Sequence, residues 1–297
     1  MPKTRLYWLH CLSPTHAGIG RGVGYIDLPI DRDAVTNWPI IRGSSFKGVW
    51  ADHFQATDER RKTDPRLKAA FGITGAADNE SHSGALLPTD AKLVCLPVRS
   101  FRGTFAWASS PLCLQMLRRT LTLAGVKDLP QVPSIAADGQ CHVTGNTLIE
   151  SGKVYLEDLD FAGTEHNDAK QWAQRIGAWV FGPHDPWPGE FLKRFVILPD
   201  LAFDYLCETG TEVHTRVRID DNTKTVAKGA LWTEESLPAE SILMGVIQCQ
   251  RVFGPNGTDI TPDGLLDQFA KDALTLQIGG KATVGRGQVR CIFREAN

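Results

Sequence analysis

The segment Arg5-Leu6-Tyr7-Trp8-Leu9-His10-Cys11-Leu12 is apolar at both its odd and its even positions. Successive strand residues point to opposite faces, so this pattern asks for cover on both sides, as in a central buried strand. A second stretch is as restrictive. Gly279 to Gly287 holds four glycines in nine positions, which suits neither a helix nor an ordinary strand. From Lys281 to Arg294 there are four cations and no acid. Two readings of the glycines stay open at this point: a turn leading into a last strand, or a bare backbone that lets a phosphate chain approach.

Bulk numbers narrow the class. The chain has 297 residues, 42% hydrophobic and 22% charged, which describes a soluble globular protein of one large domain with insertions or two ordinary ones. No run of about 18 apolar residues reads as a membrane span. The first residues lack a secretory leader core. The seven cysteines are scattered, and none forms a Cys-x-x-Cys pair, so neither a disulfide framework nor a zinc finger is expected. A cytoplasmic, reduced protein follows as the expectation. With a net charge of −2, any site for a polyanion must be local.

Helices are punctuated at Ser110-Pro111 through Gly125, from Asn167 to Gly182-Pro183, and from Thr261-Pro262 through Ala273. Another is expected after Ser44-Ser45, with Phe46, Val49, Trp50 and Phe54 on one face. Strand-like runs cover Ala91–Val98, Val196–Leu198, Leu243–Phe253 and Gln288–Phe293, and alternation also marks Ile26–Asp31. Strands at both ends with helices interspersed favour an α+β fold with long insertions.

Four constellations could carry chemistry. The glycine-rich stretch is not a P-loop, because Lys281 is followed by Ala282 and position 275 is Thr. Arg42-Gly43-Ser44-Ser45-Phe46-Lys47 places two hydroxyls and a cation at a helix start, either an anion site or a serine cap beside a solvated lysine. His16 and Asp27 flank a loop with glycines at 18, 20, 22 and 24. A single carboxylate with substrate phosphates can hold magnesium, and either residue could move a proton; both could equally be loop residues. Finally, Glu212–Lys224 alternates. His214, Arg216 and Arg218 share one face, and Val213, Thr215, Val217 and Ile219 the other, with Thr225–Trp232 able to return as a second strand. Cations on one side and apolar groups on the other suit a nucleic-acid wedge, or a surface hairpin packed on its own core.

An ordered set of segments resembles one family. These are Ser13-Pro14-Thr15-His16-Ala17-Gly18, Ile26-Asp27-Leu28-Pro29-Ile30, Ile41-Arg42-Gly43-Ser44-Ser45-Phe46-Lys47-Gly48, and Leu96-Pro97-Val98-Arg99-Ser100 with Gly103-Thr104-Phe105-Ala106-Trp107. Thr215–Asp220 with Gly229-Ala230-Leu231-Trp232, and the closing glycine stretch, complete it. Together they resemble the backbone subunit, the fourth, of Cmr (type III-B CRISPR) effector complexes, within the RAMP superfamily.

The resemblance implies an RRM-like (ferredoxin-like) core with large insertions, as a single domain over 1–297. It implies a protruding thumb hairpin over about 212–238 and a glycine-rich loop over 279–287. It implies a guide crRNA and a target RNA as partners, with further copies of the chain stacked head to tail and other Cmr subunits beside them. Arg42, Ser44, Ser45, Lys47, Gly280, Lys281, Thr283 and Arg286 would hold the guide. Arg216, Arg218, Ile219, Leu231 and Trp232 would form the thumb. Asp27, with His16 in support, would cut the target as a metal-dependent endoribonuclease, Asp27 holding Mg2+ or Mn2+. The rival readings are a scaffold that binds RNA without cutting and a guide-processing nuclease, against which the thumb segment argues.

Overall fold

The computed structural model describes residues 3–20, 22, 24–73, 81–182, 185–250, 252 and 260–296. The strands in chain order are β1 (Lys3–Cys11), β2 (Ile40–Ile41), β3 (Gly72–Ile73), β4 (His82–Ser83), β5 (Leu86–Pro88), β6 (Ala91–Arg99), β7 (Phe105–Ser109) and β8 (Gln140–Val143), then β9 (Lys153–Leu156), β10 (Leu159–Glu165), β11 (Phe195–Ile197), β12 (Glu212–Ile219), β13 (Val226–Ser236), β14 (Ile242–Cys249), β15 (Leu274–Gln277) and β16 (Gln288–Glu295). The helices are α1 (Gly43–His53), α2 (Asp58–Thr63), α3 (Pro65–Phe71), α4 (Pro111–Ala124), α5 (Asn167–Val180), α6 (Trp187–Arg194), α7 (Asp200–Thr209) and α8 (Pro262–Phe269).

Twelve strands form one mixed sheet in the order β15-β16-β1-β14-β6-β7-β11-β8-β10-β9, with β2 beside β6 and β5 beside β14. The architecture is thus α+β around a large sheet. β1 lies between β14 and β16, antiparallel to both. Its two apolar faces feed two separate cores. Tyr7, Leu9 and Cys11 join Phe46, Trp50 and Phe269 on one side, while Leu6 and Trp8 join Leu114, Leu121, Trp172 and Ile176 on the other. Helix α1 is held by aromatic contact, the Phe46 ring stacking on Tyr7 at 4.3 Å and 8°.

Strand direction gathers the loops of interest. β1 and β6 are both antiparallel to β14, so they run the same way. The C-terminal ends of β1 and β6 therefore share one end of the sheet with the starts of β14 and β16. That end carries the loop after Cys11, the β12–β13 hairpin, the glycine-rich stretch before β16, and the turn after Arg99.

Several expectations shift in detail. Helix α1 starts at Gly43, so Ser44 and Ser45 lie inside its first turn. A Cβ at Gly43 would sit 2.5 Å from the Pro88 carbonyl oxygen, which explains why glycine opens the helix there. The Ile26–Asp31 segment is no strand but a clamp. Leu28 N–H donates to Thr233 O and Glu235 N–H donates to Leu28 O, while Asp31 N–H reaches back to Ala17 O. Pro29 has no N–H for a longer ladder. His166, rather than Asn167, caps α5, its Nδ1 accepting from Asp168 N–H. The expected strand end at Phe253 and helix stop at Pro183 lie outside the described residues, as do Arg21 and Val23 of the glycine loop. Among the described residues no helix is long and apolar enough to cross a membrane.

Candidate nucleic-acid interface

The hairpin β12–β13 pairs antiparallel, with Thr215 opposite Thr233, Arg216 opposite Trp232 and Val217 opposite Leu231. Opposed residues share a face. One face therefore carries His214, Arg216, Trp232 and Glu234, and the other carries Val213, Val217, Leu231 and Thr233. The apolar face does not pack on the core. Val213 is 50% exposed, Val217 45%, Ile219 50% and Leu231 64%. A surface hairpin stabilised by its own core would cover these side chains, so that reading fails. At the tip, Asp220 accepts from the N–H groups of Thr223 and Asn222, which holds its carboxyl below the usual carboxylate range.

At its foot the hairpin is tied to three loops. His16 bridges to Gly280 and donates from Nδ1 to the Glu235 carbonyl at 2.6 Å. A carbonyl only accepts, so Nδ1 carries the proton. The ring is buried over Gly18, where an added Cβ would stand 2.5 Å from Nε2. Gly279, at φ 82°, would bring a Cβ to 2.2 Å from the His16 carbonyl oxygen. Here glycine answers both a close approach and a left-handed backbone. His16 thus sits at a junction of backbones, as a strut.

Asp27 lies on the opposite, apolar face of the hairpin and is exposed. Its Oδ2 accepts the Thr233 N–H at 2.8 Å and the Thr233 hydroxyl at 3.0 Å. Thr233 stands two residues from Leu231 on the same face, so a fixed carboxylate sits at the base of an exposed apolar face. Among the described residues no three His, Cys, Asp or Glu side chains gather as a metal cage. An exposed single carboxylate suits a magnesium ion that takes its remaining ligands from phosphates and water.

The glycine-rich stretch docks on the cationic face. Lys281, in the left-handed region at φ 69°, reaches Glu234 Oε1 at 2.6 Å and lies 5.9 Å from the Trp232 ring centre. Trp232 Nε1 donates to the same oxygen at 2.6 Å, and Arg216 sits 3.4 Å from Oε2. Burial opposes the charge on Glu234, but the Lys281 and Trp232 bonds outweigh it and hold the carboxyl below its ordinary range. Arg286 pairs with Glu212 at 3.2 Å, and Thr283 is exposed in a short turn.

The start of α1 divides in two. Arg42 is no free cation: Nε and Nη2 hold Asp31 at 2.7 and 2.9 Å, and Nη1 holds Asp90 at 3.2 Å. The Asp31 bonds push its pKa upward. Asp90 also accepts the Gly43 N–H at 2.8 Å, filling part of the anion-binding capacity of the helix start. Arg42 therefore straps the loop at Asp31 to the helix start through Asp90, with its guanidinium still half-exposed. Ser44 and Ser45 remain exposed. Lys47 has no acid partner among the described residues, and burial, with Arg61 nearby, lowers its pKa.

The fold thus brings together His16, Asp27, Gly280, Lys281, Arg286, Arg216 and Trp232. Sequence reasoning missed Thr233 and Glu234, which hold Asp27 and Lys281. The signal available was an alternation of Arg216 and His214 against Glu234 across one hairpin.

Comparison with known proteins places the whole chain in a family. Residues 8–290 match the family model described as the RAMP superfamily. The Cmr endoribonuclease Cmr4 of Pyrococcus furiosus is 31% identical over 299 residues, covering 99% of this chain and 96% of that protein. The crystal structure of oligomeric Cmr4 from Pyrococcus furiosus superposes with a TM-score of 0.73 at 26% identity, covering 99% of each chain. A chain of the type III-B Cmr-beta complex bound to cognate target RNA shares the fold, with a TM-score of 0.73 at 18% identity and coverage of 98% of this chain and 96% of that one. The chain belongs to the RAMP superfamily, among the relatives of Cmr4.

Proposed function

We propose that the chain is a guide-RNA-binding backbone subunit of a type III-B effector complex, and that it cleaves target RNA paired to the guide. The observation that carries this reading is the Asp27 carboxylate fixed by Thr233 at the base of the exposed Val217–Leu231 face. Kinship to a protein named an endoribonuclease supports it. The core is read as RRM-like, with the hairpin as a thumb.

Base pairing reads sequence in guided recognition, while protein reads backbone and shape. Ser44, Ser45 and Lys47 at the start of α1, with Gly280, Lys281, Thr283 and Arg286, form the phosphate-holding surface. The apolar thumb face unstacks target nucleotides where it enters the duplex. A regular A-form helix keeps each 2′-hydroxyl out of line with its neighbouring phosphate; an unstacked nucleotide is free to align them. The 2′-oxygen then forms a bond to phosphorus while the bond to the 5′-oxygen breaks, giving a 2′,3′-cyclic phosphate and a 5′-oxygen that takes a proton from water; positioning supplies much of the rate. Asp27 accepts the hydroxyl proton or holds the substrate in line, and His16 keeps the surrounding loops in register. Magnesium or manganese held by Asp27 and RNA phosphates would offset charge at the reacting phosphate.

The test uses an assembled complex with guide and labelled target. Asp27→Asn keeps an acceptor for Thr233 but removes the charge. Regularly spaced cut products should fall by about 100-fold or more at unchanged target affinity. Undiminished cutting would remove Asp27 from the chemistry, and a complex that binds target but never cuts it, with or without divalent ions, would make the chain a scaffold.

A further inference from the structure

At the same end of the sheet, the turn after β6 holds an aromatic side chain in solvent. Phe101 is 74% exposed, although its backbone is closely constrained. Its N–H donates to Tyr155 O at 3.1 Å, and Ser100 N–H donates to Thr104 O at 3.0 Å. Arg194 Nε reaches Gly103 O at 2.9 Å from below. Gly103 and Thr104 both adopt positive φ, 74° and 75°. For a β-branched residue such as Thr104 this is strained, and it persists only where the surroundings enforce it.

The ring's neighbour is Tyr155, at 6.0 Å and 73°, an edge-to-face contact that leaves most of Phe101 uncovered. Exposed Arg99 and Arg102 flank it. The Arg99 backbone N–H donates to Glu157 Oε1 at 3.0 Å, while its guanidinium forms no ion pair among the described residues. Arg102 pairs with Glu150 at 3.2 Å, but both are well exposed and so readily exchanged for a phosphate. A rigidly presented aromatic face beside cations is how proteins hold unpaired bases: the ring stacks on the base and the cations take the backbone.

We infer that Phe101 and Tyr155, with Arg99 and Arg102, form a stacking platform for an unpaired nucleotide of single-stranded RNA, separate from the Asp27 site. The inference rests on the reading of the chain as an RNA-binding subunit, but it makes a distinct demand. The platform favours single strands, because in a duplex the base faces are already stacked. A protein surface fits less well, since the patch is one ring flanked by guanidinium groups rather than a broad apolar area.

The test measures binding of the full chain to a fluorescein-labelled eight-nucleotide single-stranded RNA across a salt series, and to an RNA duplex of similar length. Phe101→Leu should weaken single-strand binding roughly tenfold, with the salt slope and duplex binding unchanged. Phe101→Tyr should restore it, and Arg102→Gln should lower the single-strand salt slope by about 0.7. Single-strand binding that survives Phe101→Leu overturns the platform alone. An equal loss for single strand and duplex overturns it as well, as does altered self-association at unchanged RNA affinity, which would mark a protein contact. If the unsubstituted chain binds no RNA, the RNA-binding reading fails and the platform fails with it.

Discussion

At its foot the β12–β13 hairpin buries three consecutive polar residues, Glu234, Glu235 and Ser236, at 5%, 2% and 2% exposure. In its outer half it exposes Val217, Ile219 and Leu231. This inverts the usual order of a folded chain, with charge inside and apolar groups outside. The buried acids are all engaged. Glu235 takes Arg32 at 2.5 Å, the Thr211 hydroxyl at 2.8 Å and the Ile30 N–H at 3.0 Å. The foot is therefore a polar weld between loops, and the outer half is an apolar surface that the fold of one chain leaves uncovered. A wedge that enters stacked bases needs both a fixed base and a greasy blade.

The comparison breaks first if the weld is not structural. Glu235→Ala would leave the Ile30 N–H without its acceptor and the Arg32 guanidinium without its carboxylate, holding only the Asn37 and Cys207 carbonyls. Loss of one partner from a buried pair costs about 3–5 kcal/mol, and a urea denaturation midpoint should fall accordingly. A midpoint within error of the unsubstituted chain would mean that the foot is not an anchor.

The outer half should behave in the opposite way. Val217→Ser with Leu231→Ser removes apolar groups that touch no core, so stability should change by less than about 0.5 kcal/mol per site. Target cutting in an assembled complex should nevertheless fall roughly tenfold, the order expected when stacking contact with a base is lost. If stability falls steeply and cutting does not, the blade is a packing surface and the contrast with the foot disappears.

The same contrast explains what could be read from the sequence. Local punctuation was legible. Ser110-Pro111 and Thr261-Pro262 open α4 and α8, each hydroxyl accepting the N–H three residues on. The doubly apolar Arg5–Leu12 run forms the central β1, buried on both faces, because a continuous apolar run is a local property. The short strands β8 to β10 and helices α6 and α7 are not marked in the sequence, since runs of four to ten residues repeat a period too few times to stand out. In the candidate site, His16 and Gly280 stood out separately; their bridge joins residues far apart in sequence and exists only in the fold. The ion pairs of Arg42 were hidden for the same reason. A cation beside two serines gives no sign in the sequence that Asp31 and Asp90 fold onto it.

The smallest effect concerns the junction between foot and glycine-rich stretch. Glu234 is buried, and its side chain meets Lys281 and Trp232. Its carboxyl is held below the ordinary range, burial being outweighed by these two bonds. A depressed folded value means the contribution is full above the ordinary glutamate range and is lost as pH falls through the depressed value. Acidification should therefore release Lys281 and the Trp232 indole together, at a pH below that of an unperturbed glutamate. Trp232 emission followed down to strongly acid pH would report it against a Trp232→Phe control, which removes the other seven tryptophans' signal by difference. Glu234→Gln should erase the transition, and Lys281→Ala should move it to higher pH, because the cation that depresses the carboxyl is gone. An unchanged transition in Lys281→Ala would separate the glycine-rich stretch from the hairpin foot and leave Trp232 and Arg216 as the partners that matter there.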